Sequence, residues 1–448
     1  MNILLISPNT LTTPYPVYPI GLDYVAAAVA DRHHVRIADL NLVTKDELVR
    51  LLVDFAPEVI GLSCRNIDNT DAAAPRAFID DYRQLVGWLR RHSRATLVCG
   101  GSGFTIMPAS FCAAIDCDYG IIGEGERFGP FIEALAAGRD VTALDGVISA
   151  HRPGTRPSPW DGTPIRAFDV SSGHHAFYLA NGGMLNVQTK RGCSFRCIYC
   201  PYPHIEGRRH RLHPPEQVAA TALALQKAGA RYLFITDSAF NSDVGHSLAV
   251  ARAFKKTGLS IPWGGFFAPI RTDPDYFRIM KESGLKHVEF GTESLSDTML
   301  KNYRKPFTSA DVFTAHRQAR DAGLHVAHYF LLGGPGESEE TVHTCLDRAE
   351  RLDKTALFFF VGIRLYPNTA LYDIALAEGQ ITPHTDLLRP VFYEPEALEY
   401  RAIEALVSKR AGGRANWVIG SGGDQIAATI RKLHQRRHCG PLWEYIAR

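Results

Sequence analysis

The chain has 448 residues with 49 Lys and Arg against 47 Asp and Glu, a formal net charge of +2 that implies no polyanion and no nucleic-acid partner. Its length allows two or three domains with substantial cores. No apolar run has the length of a membrane span, the first residues run directly into an expected strand rather than a secretory leader, and nine cysteines without a disulfide-like framework suit the reducing cytoplasm.

Asn2–Ser7 (NILLIS) is a short apolar run of the kind found in buried parallel strands. Residues 21–31 are alanine-rich and read as a helix, 34–38 as a strand and 45–55 as a helix. Further strands are expected at 59–64, 96–100 and 119–122, with helical segments between them. This alternation predicts an α/β, Rossmann-like, doubly wound parallel sheet over residues 1–150, with ligands bound beyond the carboxyl ends of its strands. Those ends carry Ser7-Pro8-Asn9, the loop from Cys64 to Asp68, the run Gly100-Gly101-Ser102-Gly103-Phe104, and Gly123-Glu124-Gly125-Glu126. Glycines there permit close backbone approach to a ligand, and plain turns use the same residues.

Residues 151–180, rich in Pro, Gly, Asp and Ser, read as a linker. A second alternation spans 181–370. Strands are expected at 184–190, 232–236, 262–268, 287–291, 325–332 and 357–365, with helices including 215–228, 275–283, 309–322 and 339–351. Six strand–helix units predict a partial (βα)6 barrel of TIM type, with its chemistry at the carboxyl ends of the strands. Polar or glycine-rich groups stand at those ends: Asp237 and Ser238, Glu293 and Ser294, the run Gly333-Gly334-Pro335-Gly336-Glu337, and Arg364. Each also has a reading as a helix cap or turn. Residues 371–448 read as a small, mainly helical region with amphipathic stretches at 371–378 and 396–409, and loops at Gly412-Gly413 and Gly422-Gly423. Phe392, Tyr393, Trp417 and Trp443 are expected either to close the barrel mouth or to sit in the core.

Cys193, Cys197 and Cys200 follow the first strand of the second alternation at spacings of four and three. Three thiolates in one loop suit an iron–sulfur cluster with one iron left open, where electron carriers use four. Zinc is the other reading, because Cys197 and Cys200 form a C-x2-C pair and His204, His210 and His213 come soon after.

The triplet, with aromatic Tyr199 before its last thiol, resembles the signature of the radical S-adenosylmethionine (SAM) enzymes. That resemblance implies a 4Fe–4S cluster whose open iron chelates SAM, and one-electron cleavage to a 5′-deoxyadenosyl radical. The preceding domain is similar to the cobalamin-binding domain of the same enzymes, through Pro19-x-Gly21-Leu22, Gly100-Gly101 and Gly123-Glu124-Gly125-Glu126. It lacks the D-x-H-x-x-G motif that supplies a lower cobalt ligand elsewhere. The resemblance implies cobalamin contacts at Asn9, Arg65, Asn66, Gly100, Gly101, Ser102, Gly123 and Glu124, with Arg65 near the lower cobalt face or paired with Asp68. It implies SAM contacts at Tyr199, Asp237, Ser238, Glu293, Ser294, Gly334 and Arg364. The implied activity is methylation of an unactivated carbon, using methylcobalamin, of a natural-product, antibiotic or lipid-type small molecule, carrier-bound or free, including sp2 and pyrrole carbons. A flavodoxin or ferredoxin would supply electrons. A non-methylating oxidoreductase or cyclase is the alternative enzyme, and a zinc- and nucleotide-binding module the non-catalytic one.

Overall fold

A computed structural model describes residues 1–150, 152, 154–170, 173–420, 429–430 and 432–447. The amino-terminal sheet contains β1 (Asn2–Ser7), β2 (His34–Asp39), β3 (Val59–Ser63), β4 (Thr96–Gly100), β5 (Tyr119–Ile121) and β6 (Val147–Ser149), in the order β2-β1-β3-β4-β5-β6. Successive side chains of β1 alternate between two packed faces: Leu4 and Ile6 enter one apolar cluster and Ile3 and Leu5 the other. A strand covered on both sides needs the continuous apolar run seen in the sequence. β6 was not expected; it is three residues long and pairs antiparallel with β5 at the edge, too short for a periodic signal. The helix Lys45–Phe55 matches its expected bounds because Thr44 and Glu47 form a reciprocal capping box.

The second sheet begins with β7 (Met184–Val187). The chain then leaves it, and β8 (Lys190–Arg191) pairs antiparallel with β9 (Arg211–Leu212), bracketing the cysteine loop. The expected strand 184–190 is therefore split, because Thr189 and Lys190 turn toward Asp237. β10 (Tyr232–Ile235), β11 (Trp263–Phe267), β12 (Leu285–Glu293), β13 (His325–Leu332) and β14 (Thr355–Val361) continue the sheet in parallel. The expected strand 357–365 also breaks, at Gly362 with φ 89°, where a Cβ would stand 2.7 Å from that of Ala72. Beyond it, β15 (Ile363–Arg364) pairs with β16 (Phe392–Tyr393). After the helix Tyr400–Ala411, β17 (Trp417–Ile419) joins β14 and gives the open barrel the order β17-β14-β13-β12-β11-β10-β7. The six expected strands thus gain a seventh from the carboxyl-terminal region. Gly422 and Gly423 lie outside the described residues.

Trp443 does not close the barrel mouth. It packs on Ala327 and Ala356 at the amino-terminal end of the strands and donates to Glu289 at 2.9 Å. One apolar cluster runs from Leu62, Ile67 and Phe104 to Ile198, Tyr303 and Leu371, so the two α/β units share a core. No helix among the described residues is long and apolar enough to cross a membrane.

Candidate functional site

Charged and polar ties join the amino-terminal domain to the remainder of the chain, among them Asp80 with Arg389 at the surface. Asp23 pairs with Arg166 at 2.7 Å, Asp68 with Arg364 at 2.7 Å and Glu126 with Arg191 at 2.8 Å, while Glu124 pairs with Arg211 and Asp39 accepts from Tyr178. They hold the carboxyl ends of the two sheets around a cavity of about 610 Å³. Asn9, Arg65, Asn66, Gly100, Gly101 and Ser102 line one side of it, with Gly123 and Glu124 beside them; Pro201 and Tyr202, directly after Cys200, line the other.

The glycine loop after β4 is built for close approach. Gly101 has φ 102°, and a Cβ there would be 3.0 Å from the Cys64 carbonyl; one at Gly103 would be 2.8 Å from the Arg65 carbonyl. A side chain at either position would displace the loop after β3, so the two loops pack backbone to backbone in the cavity wall. Arg65 is half-buried there. Asp68 is taken by Arg364, so among the described residues Arg65 keeps only the Asn66 side chain, at 3.2 Å, as a side-chain hydrogen-bond partner. Burial holds its guanidinium below the usual range. A concave, glycine-walled cavity with one cation lacking a carboxylate partner fits a large planar ligand such as a corrin.

The cysteine loop is fixed from three directions. The Cys193 amide donates to Gly207 at 3.1 Å, that of Ile198 to Tyr303 at 3.2 Å, and Gly192, with φ 88°, packs so tightly that a Cβ would be 2.1 Å from the Arg209 carbonyl. Cys193 is buried, while Cys197 and Cys200 are half-buried. Burial first, then neighbouring thiols, pushes the Cys200 thiol up to about 12, and burial also raises Cys197. Such thiols ionise when a metal compensates the charge. Among the described residues, no three His, Cys, Asp or Glu side chains converge as they do around a single ion. The nearby histidines are engaged elsewhere: His204 with Arg156, His210 with Ser242 and His213 with the Gln188 carbonyl. The histidines that a mixed zinc site would recruit thus have other contacts.

The residues expected around SAM separate. The Tyr199 hydroxyl donates to Glu293 at 2.8 Å, and Lys305, which nothing in the local sequence singles out, completes the group at 3.2 Å from Glu293. Glu293 sits at a bulge in β12 with φ 61°, a left-handed conformation costing about 1–3 kcal/mol for a non-glycine residue. The Ser238 Oγ, just beyond β10, is buried without a partner among the described residues, as expected of a donor waiting for a ligand. Three of the residues expected there have protein partners of their own. Asp237 is turned inward, accepting from Thr189 (amide at 2.8 Å, hydroxyl at 2.5 Å) and Lys190 at 3.0 Å. Ser294 is fully buried and accepts from the Ser296 amide in a turn. Arg364 gives its donors to Asp68 and to the Leu365 and Leu387 carbonyls, so it ties the domains together. Gly334 makes room for Tyr303, whose ring would be 2.2 Å from a Cβ.

Comparison with known proteins gives these sites a family. Residues 6–129 match the B12 binding domain and residues 187–349 the radical SAM superfamily. An uncharacterised methyltransferase of Pyrococcus horikoshii is 27% identical, over 85% of this chain and 84% of its own. The tryptophan 2-C-methyltransferase of Streptomyces laurentii is 25% identical, over 83% and 74%. The structure of the radical SAM methyltransferase TsrM from Kitasatospora setae, with cobalamin and a 4Fe–4S cluster bound, superposes with a TM-score of 0.86 at 21% identity, covering 99% of this chain and 97% of that one. With a B12-binding domain facing a radical SAM domain across the cavity, this chain is a cobalamin-dependent radical SAM enzyme.

Proposed function

We propose that the enzyme transfers the methyl group of SAM, by way of cobalamin, to an unactivated carbon of a natural-product or lipid-type small molecule, with an sp2 ring carbon as the target. The observation that carries this reading is the cavity lined on one side by Gly100, Gly101 and Gly123 and on the other by Pro201 and Tyr202, directly after Cys200. Relatives named for methylation of tryptophan, of a cytidylyl phosphonate and of hopanoids support carbon methylation. The ring target is supported by the barrel interior: Phe266 is 40% exposed in mid-strand, and Tyr329 stacks on Phe358 at 4.8 Å.

Bound cobalamin supplies a methyl carrier, and the bound cluster supplies the electron that splits SAM. We assign Cys193, Cys197 and Cys200 to the cluster, and Asn9, Arg65, Asn66, Gly100, Gly101, Ser102, Gly123 and Glu124 to the corrin. Arg65, which lines the cavity, would meet the corrin, and its fixed cation would disfavour a further metal ligand from the protein. Tyr199, Ser238, Glu293 and Gly334 serve the SAM side. The buried interdomain ion pairs keep the two halves in register. A flavodoxin or ferredoxin delivers the electron, and the exposed Arg196, Arg208 and Arg209 offer such an acidic protein a cationic face beside the cysteine loop. All nine cysteines are unpaired, in keeping with the cytoplasm.

The test is a metabolite extract incubated with reduced, reconstituted enzyme and SAM carrying a trideuterated methyl group. The expected product gains one deuterated methyl in place of one hydrogen. A product that is oxidised or cyclised without label would instead identify a non-methylating enzyme.

A further inference from the structure

The barrel side of the cavity carries an open aromatic ring. Phe266, on β11, is 40% exposed and lines the cavity together with Phe234 and Thr236. Its ring meets that of Phe234 edge-on at 5.2 Å and that of Tyr329 at 6.3 Å. Gly264 precedes it on the same face of the strand, and there the His287 ring takes the place of a side chain, 2.0 Å from where a Cβ would stand. Phe234 lies against that histidine, with ring centroids 5.8 Å apart. These rings pack behind Phe266 and hold it in position while it stays open to the cavity.

The charged side chains that line the cavity near the barrel are already engaged. Arg191 is taken by Glu126 at 2.8 Å and Glu124 by Arg211, while Glu206 accepts from the Gly192 amide at 3.1 Å and from Gln188 at 3.3 Å. Glu289 is the register neighbour of Phe266 on β12, yet it is 2% exposed. Its carboxylate answers Trp443 at 2.9 Å, with His287 Nε2 3.5 Å away. Among the described residues, the lining cation without a carboxylate partner is Arg65, on the side of the glycine loops. An ammonium or carboxylate entering the barrel side would lose its water and meet no free counter-charge. An uncharged ring loses little and gains contact with Phe266.

We infer that the barrel side of this cavity is a substrate subsite that takes an uncharged planar ring, and that Phe266 is the residue selecting it. The inference deepens the methyltransferase reading and rests on that reading's placing of substrate in this cavity. It excludes an ionised group from the end of the substrate that enters the barrel.

The test is equilibrium dialysis of the reconstituted holoenzyme, loaded with cluster, cobalamin and SAM but given no reductant, against 2-naphthylmethanol, 2-naphthylmethylammonium and 2-naphthylacetate. The alcohol is expected to bind about tenfold tighter than either ion. Phe266→Ala is expected to weaken alcohol binding about fivefold. If Phe266→Ala fails to fold, Thr236→Asp decides, since it places a carboxylate on the same wall: ammonium binding tightened about fivefold supports the subsite, and unchanged binding overturns it. Ammonium bound by wild type as tightly as the alcohol would overturn the inference and make Glu289 a reader of cations. Acetate bound as tightly as the alcohol, no measurable binding of the alcohol, or alcohol binding that a folded Phe266→Ala leaves unchanged would overturn it too. No methyl group moves in this assay, so the subsite can fail while labelled SAM still yields a methylated product, and the reverse.

Discussion

Arg191 precedes the cysteine loop by two residues and meets Glu126 of the Gly123-Glu124-Gly125-Glu126 turn in a two-pronged pair, with Nη1–Oε2 2.9 Å and Nη2–Oε1 2.8 Å. Both side chains are buried, 9% and 8% exposed. Arg191→Met would leave the Glu126 carboxylate unpaired in that interface, at a cost of about 3–5 kcal/mol. For a domain of 150–250 residues this lowers the melting temperature by roughly 6–20 °C. Arg191→Met with Glu126→Leu removes both charges and should fall within about 1 kcal/mol of wild type, since a buried pair replaced by apolar side chains is often neutral. Urea unfolding and calorimetry of the four proteins of the cycle measure the coupling, expected to exceed about 2 kcal/mol. A single variant costing under about 1 kcal/mol, or strictly additive losses, would refute the claim that this pair fastens the cysteine loop to the amino-terminal domain.

Gly101→Ala places a Cβ where φ is 102° and the Cys64 carbonyl is 3.0 Å away; it should cost about 1–3 kcal/mol and weaken cobalamin retention on gel filtration. Arg364→Met should destabilise the protein by about 3–5 kcal/mol in urea unfolding by orphaning Asp68, while equilibrium dialysis finds SAM affinity unchanged. The Glu444 carboxyl has its pKa lowered from 4.5 to about 2: burial opposes the shift, but His287, Tyr232 and Lys286 together outweigh it. Because the folded value is depressed, this stabilisation, on the order of 3 kcal/mol, is full above 4.5 and disappears as the pH falls toward 2. The stability gap between wild type and Glu444→Gln should close over that range in acid titrations monitored by circular dichroism.

The layered fold was legible because parallel strands buried on both faces leave continuous apolar runs, as in Asn2–Ser7 and His325–Leu332. The cysteine triplet was legible because its residues are adjacent in sequence. What escaped depended on partners far along the chain. Lys305 is an ordinary lysine until the fold brings Glu293 and Tyr199 to it. Asp237 and Arg364 sit at strand ends, where ligand contacts are expected. Their side chains instead answer Lys190 and Asp68, a choice that local sequence does not encode. β6 and β17 are three residues each, too short for periodicity to register, and tertiary pairing decides them.

The central claim is that one cavity unites a corrin-carrying domain with a cluster-carrying one for methyl transfer from SAM. Its most direct test compares wild type and Cys197→Ala, both loaded with cobalamin and given reductant, methyl-labelled SAM and a metabolite extract. Wild type should incorporate label into a carbon-methylated product, while Cys197→Ala retains cobalamin and incorporates none. Equal incorporation by the two proteins, or none by wild type with its full complement of iron, sulfide and cobalamin, would contradict the account.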